Sequence, residues 1–184
     1  MREKITLNVL GVLALAFYAI HGAHHLTRGF PANLLWCCHL GAVLVGLGLL
    51  SRRATLNGVG LCWLGVGTPL WLIGLPLGGT FVATSLLTHL GGLAIAVWGA
   101  RRLGMPRGVW WKAAVGMVLL HFVTRPFNPA DKNVNLAGGI WSGLEGWFPS
   151  HLVFLVTALV VCAGAFLLLE RLLGRGQRAD GRSI

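Results

Sequence analysis

Histidine and cysteine are the side chains of this sequence that are best suited to chemistry. The 184 residues include seven histidines and four cysteines. His39, His89 and His121 fall inside apolar stretches, where an ionisable side chain is costly and usually faces a cavity or the interior of a helix bundle. Cys37 and Cys38 directly precede His39. We therefore expect these side chains to line one cavity.

Nucleophilic catalysis on a lipid is the first chemistry that suits these residue types. Cys37 or Cys38 would attack an acyl ester, with His89 as the base. His121 and Arg125 would position the ester and the lipid headgroup. The other polar residues expected at the same depth would bind the substrate, and they are His39, Ser85, Thr88, Asn128, Asn133 and Asn135. This chemistry needs no cofactor.

Metal or haem binding is the second chemistry, with imidazoles from several helices as ligands. The predicted ligands are His39, His89, His121 and His151. The sequence has neither a CxxC nor an HExxH motif that would indicate a zinc site directly. A third interpretation involves no chemistry, because a neutral histidine can also bond a carbonyl or hydroxyl group of a neighbouring helix and hold the two helices together.

Membrane helices are the elements that must position these residues. The chain is 55% hydrophobic and 11% charged, which a water-soluble domain could not carry without large exposed apolar patches. A helix crosses the hydrocarbon core with about 20 mostly apolar residues. The predicted spans are 5–21, 33–50, 57–75, 80–99, 109–124 and 151–170. The fold is thus predicted to be all-α, an integral membrane bundle of six transmembrane helices within residues 1–173.

The placement of the basic residues predicts the orientation of this bundle. The net charge of +10 would suggest nucleic acid in a soluble protein. Here, however, 12 of the 15 basic residues fall in segments that face the cytoplasm if both termini do, and only Arg28, Arg125 and Lys132 fall on the other side. We therefore predict both termini inside and no nucleic-acid partner. On this topology every histidine lies in the outer half of the membrane, with the following ones at headgroup level: His21, His24, His25 and His151.

Two segments outside the spans have distinct compositions. Residues 125–150 form the longest connection, and Trp141 and Trp147 among its polar residues predict a folded cap on the outer surface. Residues 174–184 are small, polar and basic, and are predicted to form a cytoplasmic tail.

Four short motifs between residues 31 and 149 resemble those of a known family. They are Pro-Ala-Asn-Leu-Leu-Trp-Cys-Cys-His over 31–39, Thr-His-Leu-Gly-Gly from Thr88, Arg-Pro-Phe-Asn-Pro-Ala-Asp-Lys-Asn-Val-Asn over 125–135, and Gly-Trp-Phe-Pro over 146–149. In order and spacing they resemble the YwaF-type family of six-helix bacterial membrane proteins. Animal relatives of that family are regarded as phospholipid acyltransferases that use a cysteine and a histidine. The resemblance implies these roles for Cys37 or Cys38 and for His89.

These observations together favour an enzyme of lipid acyl groups, an acyltransferase or esterase, in a bacterial inner membrane. Its cavity would open outward and its partner would be membrane lipid. A histidine-ligated metal or haem protein is the first alternative. The substrate-binding subunit of a transporter is the second, since it would use the same cavity without chemistry and would have partner membrane subunits.

Overall fold

A computed structural model describes residues 2–76, 81–128 and 133–179, with side chains as far as Gly174. The described residues form six long helices: α1 Arg2–Thr27, α2 Cys37–Leu50, α3 Ala54–Gly74, α4 Ala83–Leu103, α5 Val109–Thr124 and α6 His151–Ala179. Short 3-10 helices cover Pro31–Leu35, Arg125–Phe127, Val134–Leu136 and Glu145–Trp147. The described residues include no strand. The all-α prediction is therefore confirmed.

The helices have the length and the surface of a membrane protein. Four of them, α1, α3, α4 and α6, are long and apolar enough to cross a membrane, and α2 is apolar but has only 14 residues. Large aliphatic side chains stand on the outside of the bundle, with Val9 58%, Leu119 59% and Val160 65% exposed. Such a surface suits lipid better than water. Crossing by all six helices remains a prediction.

Glycines allow the helices of the first half to approach closely. A Cβ atom added to Gly60 of α3 would lie 2.5 Å from the carbonyl oxygen of Gly41 in α2. One added to Gly46 of α2 would lie 2.8 Å from the carbonyl oxygen of Gly11 in α1. Both distances are shorter than real Cβ contacts, so a residue larger than glycine fits at neither position.

A single carboxylate joins the last two helices. Glu170 of α6 accepts hydrogen bonds from the backbone N–H groups of Gly108 at 3.1 Å and Trp110 at 3.0 Å. These N–H groups lie at the start of α5, where a helix leaves its donors without internal partners and favours negative charge. The one acidic residue of the predicted spans thus has a structural role.

The ends of α2, α3 and α4 differ from the predicted spans by at most four residues, and three other differences are larger or concern the site. α1 continues to Thr27 rather than ending near residue 21. α4 contains a π-helical turn at Leu87–Gly91, a wider turn that recurs at functional sites and here includes His89. α6 continues to Ala179, so residues 174–179 of the predicted tail are helical, whereas 180–184 lie outside the described residues.

Candidate functional site

Five histidine rings form a continuous row across three helices. The distances between ring centroids are 5.7 Å for His24–His25, 4.5 Å for His25–His21, 4.5 Å for His21–His39 and 5.5 Å for His39–His89. α1 contributes the first three rings, α2 the fourth and α4 the fifth. The row runs from the half-buried His24 to the buried His89.

Three of these rings point the same nitrogen at one another. The Nε2 atom of His21 lies 3.1 Å from Nε2 of His25 and 3.2 Å from Nε2 of His39. The ligand atoms of all three residues lie within 4.8 Å of one another. His21 and His25 are four residues apart on α1 and so share one face of it. The structure therefore builds a compact group of three imidazole nitrogens, which we call the outer triad.

The opposite nitrogen of each ring is occupied by a partner that fixes the ring. His21 Nδ1 lies 2.7 Å from the hydroxyl oxygen of Thr84, and His39 Nδ1 donates to the carbonyl oxygen of Asn33 at 2.7 Å. His25 Nδ1 lies 3.2 Å from the side-chain amide of Asn33, which can present either its oxygen or its nitrogen. Imidazoles that bind metals are held in this way, with the second N–H bonded to a neighbouring oxygen.

Neutral imidazole rings cannot form a hydrogen bond at both of the Nε2–Nε2 contacts in the outer triad. His39 Nδ1 must carry a proton because its partner is a carbonyl oxygen, so a neutral His39 has a bare Nε2. If His21 Nε2 is protonated, it can donate to His39 but cannot accept from His25. If it is bare, it can accept from His25 but faces the bare nitrogen of His39. One of the two contacts therefore always lacks a hydrogen bond.

A metal ion at the centre would satisfy all three nitrogens together. Two imidazoles bound to one transition-metal ion at about 2.0–2.1 Å have nitrogens about 2.8–3.4 Å apart, depending on the bond angle. The observed separations of 3.1 and 3.2 Å fall in this interval. Each separation also suits a single N–H···N bond, and the second contact, which neutral rings leave without a hydrogen bond, is the one that a cation would satisfy. The sequence has no Asp or Glu from residue 4 to residue 130, so the ligands there are imidazoles and thiols.

A second group of ligand atoms adjoins the first and shares His39. Cys38, His39 and His89 place their ligand atoms within 4.8 Å of one another, and we call this group the inner triad. Cys38 is a free thiol and 8% exposed. Gly67 of α3 packs against it, since a Cβ there would lie 2.6 Å from Cβ of Cys38.

His89 is held in place within the inner triad from two sides. Its Nδ1 donates to the carbonyl oxygen of Ser85 at 3.1 Å, which leaves Nε2 as the ligand atom. Trp71 of α3 stacks on the ring at 4.7 Å with 13° between the planes. The ring is therefore fixed by a neighbouring turn and by a neighbouring helix.

The other two histidines bind the cap to the bundle. His121 Nδ1 donates to the carbonyl oxygen of Asn135 at 3.1 Å, and His151 Nε2 donates to that of Leu136 at 2.9 Å. Both accepting residues have left-handed backbone conformations, with φ of 51° and 62°. The His121 and His151 rings lie 6.3 Å apart and belong to neither triad. Their observed contacts are structural ones.

Asn135 connects the cap to the start of α2. Its side-chain oxygen accepts from the N–H of Cys37 at 2.8 Å, and its nitrogen donates to the carbonyl oxygen of Leu35 at 2.7 Å. The first bond satisfies a helix N-terminal donor that has no partner within α2. The cap thus closes over the end of the helix that carries Cys38 and His39.

We expect Asn135→Ala to lower the free energy of unfolding by about 2–3 kcal/mol, because two largely buried hydrogen bonds are lost and alanine disfavours φ near 51°. Thermal unfolding in detergent measures the effect. Asn133→Ala is the matched control, since the bonds of the Asn133 amide to the described residues are to Gly138 and Gly139 of the same loop. Equal shifts for the two variants would contradict a connection between the cap and α2.

The remaining predicted substrate residues have other observed contacts. Thr88 is buried and its hydroxyl donates to the carbonyl oxygen of Phe17 at 3.4 Å. Asn128 accepts from the N–H of Val134 at 2.9 Å, within the cap. Arg125 is exposed at the end of α5. Residues 129–132 of the family-like motif lie outside the described residues.

Sequence reasoning placed His21 and His25 at headgroup level, whereas His21 is 1% exposed and central to the site. Both residues lie within the bundle because α1 continues beyond them to Thr27. The sequence feature that indicates their shared role is the four-residue spacing, which places both rings on one face of the helix. Thr84 and Trp71, which hold the rings, carried no recognisable signal. The chain matches no family model, no curated protein and no solved structure.

Proposed function

We propose that the protein is an integral membrane protein that binds a transition-metal ion through Nε2 of His21, His25 and His39. The observation that carries the proposal is the convergence of three Nε2 atoms, 3.1 and 3.2 Å apart along two edges, which neutral rings cannot satisfy. Imidazole ligands suit zinc, copper, iron and nickel. Three protein ligands leave a further position on the ion, as in sites where the metal is exchanged or reacts.

The contacts between the rings argue against a haem. A haem bound by two histidines needs a gap between the imidazoles, because the porphyrin plane lies between two axial ligands about 4 Å apart, twice the metal–nitrogen distance. The rings of His21 and His39 instead meet edge to face at 4.5 Å, with their Nε2 atoms 3.2 Å apart. Such an arrangement holds an ion and has no room for a porphyrin between these rings.

The metal content of the purified full chain tests the proposal. We expect about one transition-metal ion per chain after equilibration with Zn²⁺ or Cu⁺ and removal of excess metal. The comparison protein is the triple variant His21→Ala, His25→Ala, His39→Ala, which keeps His24, His121 and His151. Equal metal contents of the parent and triple variant, at matched folding, would overturn the proposal.

The proposed membrane topology has six spans, both termini in the cytoplasm and the outer triad near the outer surface. It is supported by the division of basic residues and by the apolar exterior of the helices. A bacterial inner membrane is the location that the family resemblance implies.

Labelling of introduced cysteines should report this topology. A thiol reagent that cannot cross membranes is expected to modify a cysteine introduced at Ser142 in intact cells, and to modify one introduced at Ser51 only after lysis. The parent protein, with its four native cysteines, gives the background to subtract. Labelling at Ser51 but not Ser142 in intact cells would reverse the orientation and turn the site toward the cytoplasm.

A cysteine-based lipid acyltransferase or esterase is the second candidate function. The observation that favours it is the presence of the Cys38 thiol and the His89 imidazole in one buried group within 4.8 Å. In this case a lipid-like electrophile should label Cys38 far faster than Cys62 or Cys162, and His89→Ala should slow that labelling. Turnover of acyl lipids that persists in the Cys37→Ser, Cys38→Ser double variant would remove the candidate.

A further inference from the structure

The inner triad differs from the outer triad in access to the surface and in chemistry. Cys38, His39 and His89 are 8%, 6% and 2% exposed. In the outer triad His21 is equally buried at 1%, but His25 is half-buried and brings that triad to the surface. The inner triad also offers a thiol in place of two imidazoles. Thiolate is the softer ligand, and among the available metals it favours Cu⁺ and Zn²⁺.

His39 belongs to both triads but has only one nitrogen to offer. Its Nδ1 carries the proton that bonds to the carbonyl oxygen of Asn33 at 2.7 Å, so Nε2 alone has a lone pair. One lone pair binds one ion. The two triads are therefore alternative positions for a single ion and do not form a two-metal centre.

We propose that the two triads form a path for one Cu⁺ ion, which enters at the outer triad and moves to the inner triad while His39 remains bound. This inference rests on the proposed metal-binding function. His39 and Cys38 are adjacent on α2, and His39 is the point where the rows of rings from α1 and α4 meet. An ion that exchanges His21 and His25 for Cys38 and His89 need never lose all its protein ligands.

The charge balance selects the monovalent ion. At the outer triad three neutral imidazoles leave the full charge of the ion uncompensated. At the inner triad the negative charge of one thiolate brings the net charge of a Cu⁺ complex to zero. The corresponding Zn²⁺ complex keeps a net charge of +1. A buried site without a carboxylate between residues 4 and 130 disfavours that remaining charge. Cu⁺ is thus the ion for which the inner position is fully neutral.

The step between the triads balances without an oxidant or reductant. The S–H bond of Cys38 breaks as the Cu–S bond forms, a bond from copper to Nε2 of His89 forms, and the bonds from copper to Nε2 of His21 and His25 break. The thiol proton passes by way of the vacated Nε2 of His25, the half-buried ring of the outer triad, to solvent, so that no imidazolium is left in the buried site. Copper stays monovalent throughout, and metal binding by a thiol releases a proton in general.

The far side of the inner triad is closed by α3. Trp71 covers the face of the His89 ring, and the hydroxyl of Thr68 donates to the carbonyl oxygen of His89 at 3.4 Å. Close packing of Gly67 against Cys38 fills the adjacent space. The inner triad is therefore where an entering ion comes to rest, and release requires return through the outer triad or movement of α3.

The experiment is X-ray absorption spectroscopy at the copper edge on the full chain in detergent, loaded anaerobically with one equivalent of Cu⁺. We expect one sulfur and two nitrogen ligands in the parent protein. Cys38→Ser should still bind one Cu⁺, now with nitrogen ligands only, and a Cu⁺-specific chelator should remove it at least about tenfold faster. Cys162→Ser is the matched control and should behave as the parent protein does. The unfolding temperatures of both apo variants establish that they are folded.

The outcomes separate this inference from the proposed function. Copper bound only by nitrogen in the parent protein would overturn the path but leave the outer triad as a metal site. Equal release rates for Cys38→Ser and the parent protein would also overturn the path. A parent protein that binds neither Cu⁺ nor Zn²⁺ would overturn both.

Discussion

Replacing His39 by alanine should lower the affinity for Cu⁺ and Zn²⁺ by more than about 100-fold. Loss of a residue that only orients a ligand typically costs about 10–100-fold in affinity, and His39 is a ligand in both proposed positions of the ion. It is also the one residue common to both triads, so no other side chain can replace it in either position. Competition against a chromophoric chelator, in detergent at constant pH, measures the change.

His24→Ala is the control for this experiment. His24 is half-buried and its ring lies 5.7 Å from that of His25, but it belongs to neither triad. Its replacement should leave the affinity close to that of the parent protein. If the two alanine variants lose affinity equally, the metal is bound by an unspecific collection of histidines at the outer end of α1. If His39→Ala retains full affinity, neither triad is the site.

Replacing Gly60 by valine should destabilise the bundle by about 3 kcal/mol or more, at the upper end of what overpacking costs. Its Cβ would lie 2.5 Å from the carbonyl oxygen of Gly41 and 3.0 Å from the backbone nitrogen of Val45. Both are backbone atoms of α2, so α2 and α3 must separate. The unfolding temperature in detergent and the elution volume in size-exclusion chromatography report the loss.

The control is Gly74→Val in the same helix. Among the residues that the structure describes, the neighbours of Gly74 leave its Cβ position open to 4 Å, so valine there meets no such backbone contact with α2. We expect a much smaller change in unfolding temperature. Valine is a better helix former than glycine, so helix propensity predicts no loss at either position. Similar losses for the two variants would therefore contradict the close approach of α2 and α3 as the cause of the effect.

Much of the fold was predictable because apolar runs of sufficient length leave few alternatives. All six helices occur where the apolar stretches predicted them, and α5 has the predicted bounds of 109–124. The ends were less predictable. α1 was expected to end near its first histidine, since a polar residue normally marks the end of a span, but His21 is compatible with burial because Thr84 and two histidines surround it.

The site was predictable only in part for a related reason. The depth of His39 and His89 in apolar stretches indicated their importance, and their rings do lie 5.5 Å apart. What depth cannot show is which ring nitrogen faces a neighbour, because that depends on partners distant in sequence such as Thr84 for His21. The same limitation applies to Asn135, whose bond to Cys37 joins residues 98 positions apart. The sequence predicts substrate binding for Asn135, whereas its observed hydrogen bond caps the start of α2.

The order of the ligands along the chain has a consequence for biosynthesis. Every member of the two triads lies between His21 and His89, on α1, α2 and α4, with α3 packed among them. The last two helices and the cap contribute none of these ligands. A growing chain that has inserted its first four helices therefore already contains the complete set of ligands, before α5 and α6 exist to cover it. If the proposed metal site and six spans hold, capture of the ion precedes completion of the bundle, and the bound ion holds α1, α2 and α4 together while the remaining helices insert.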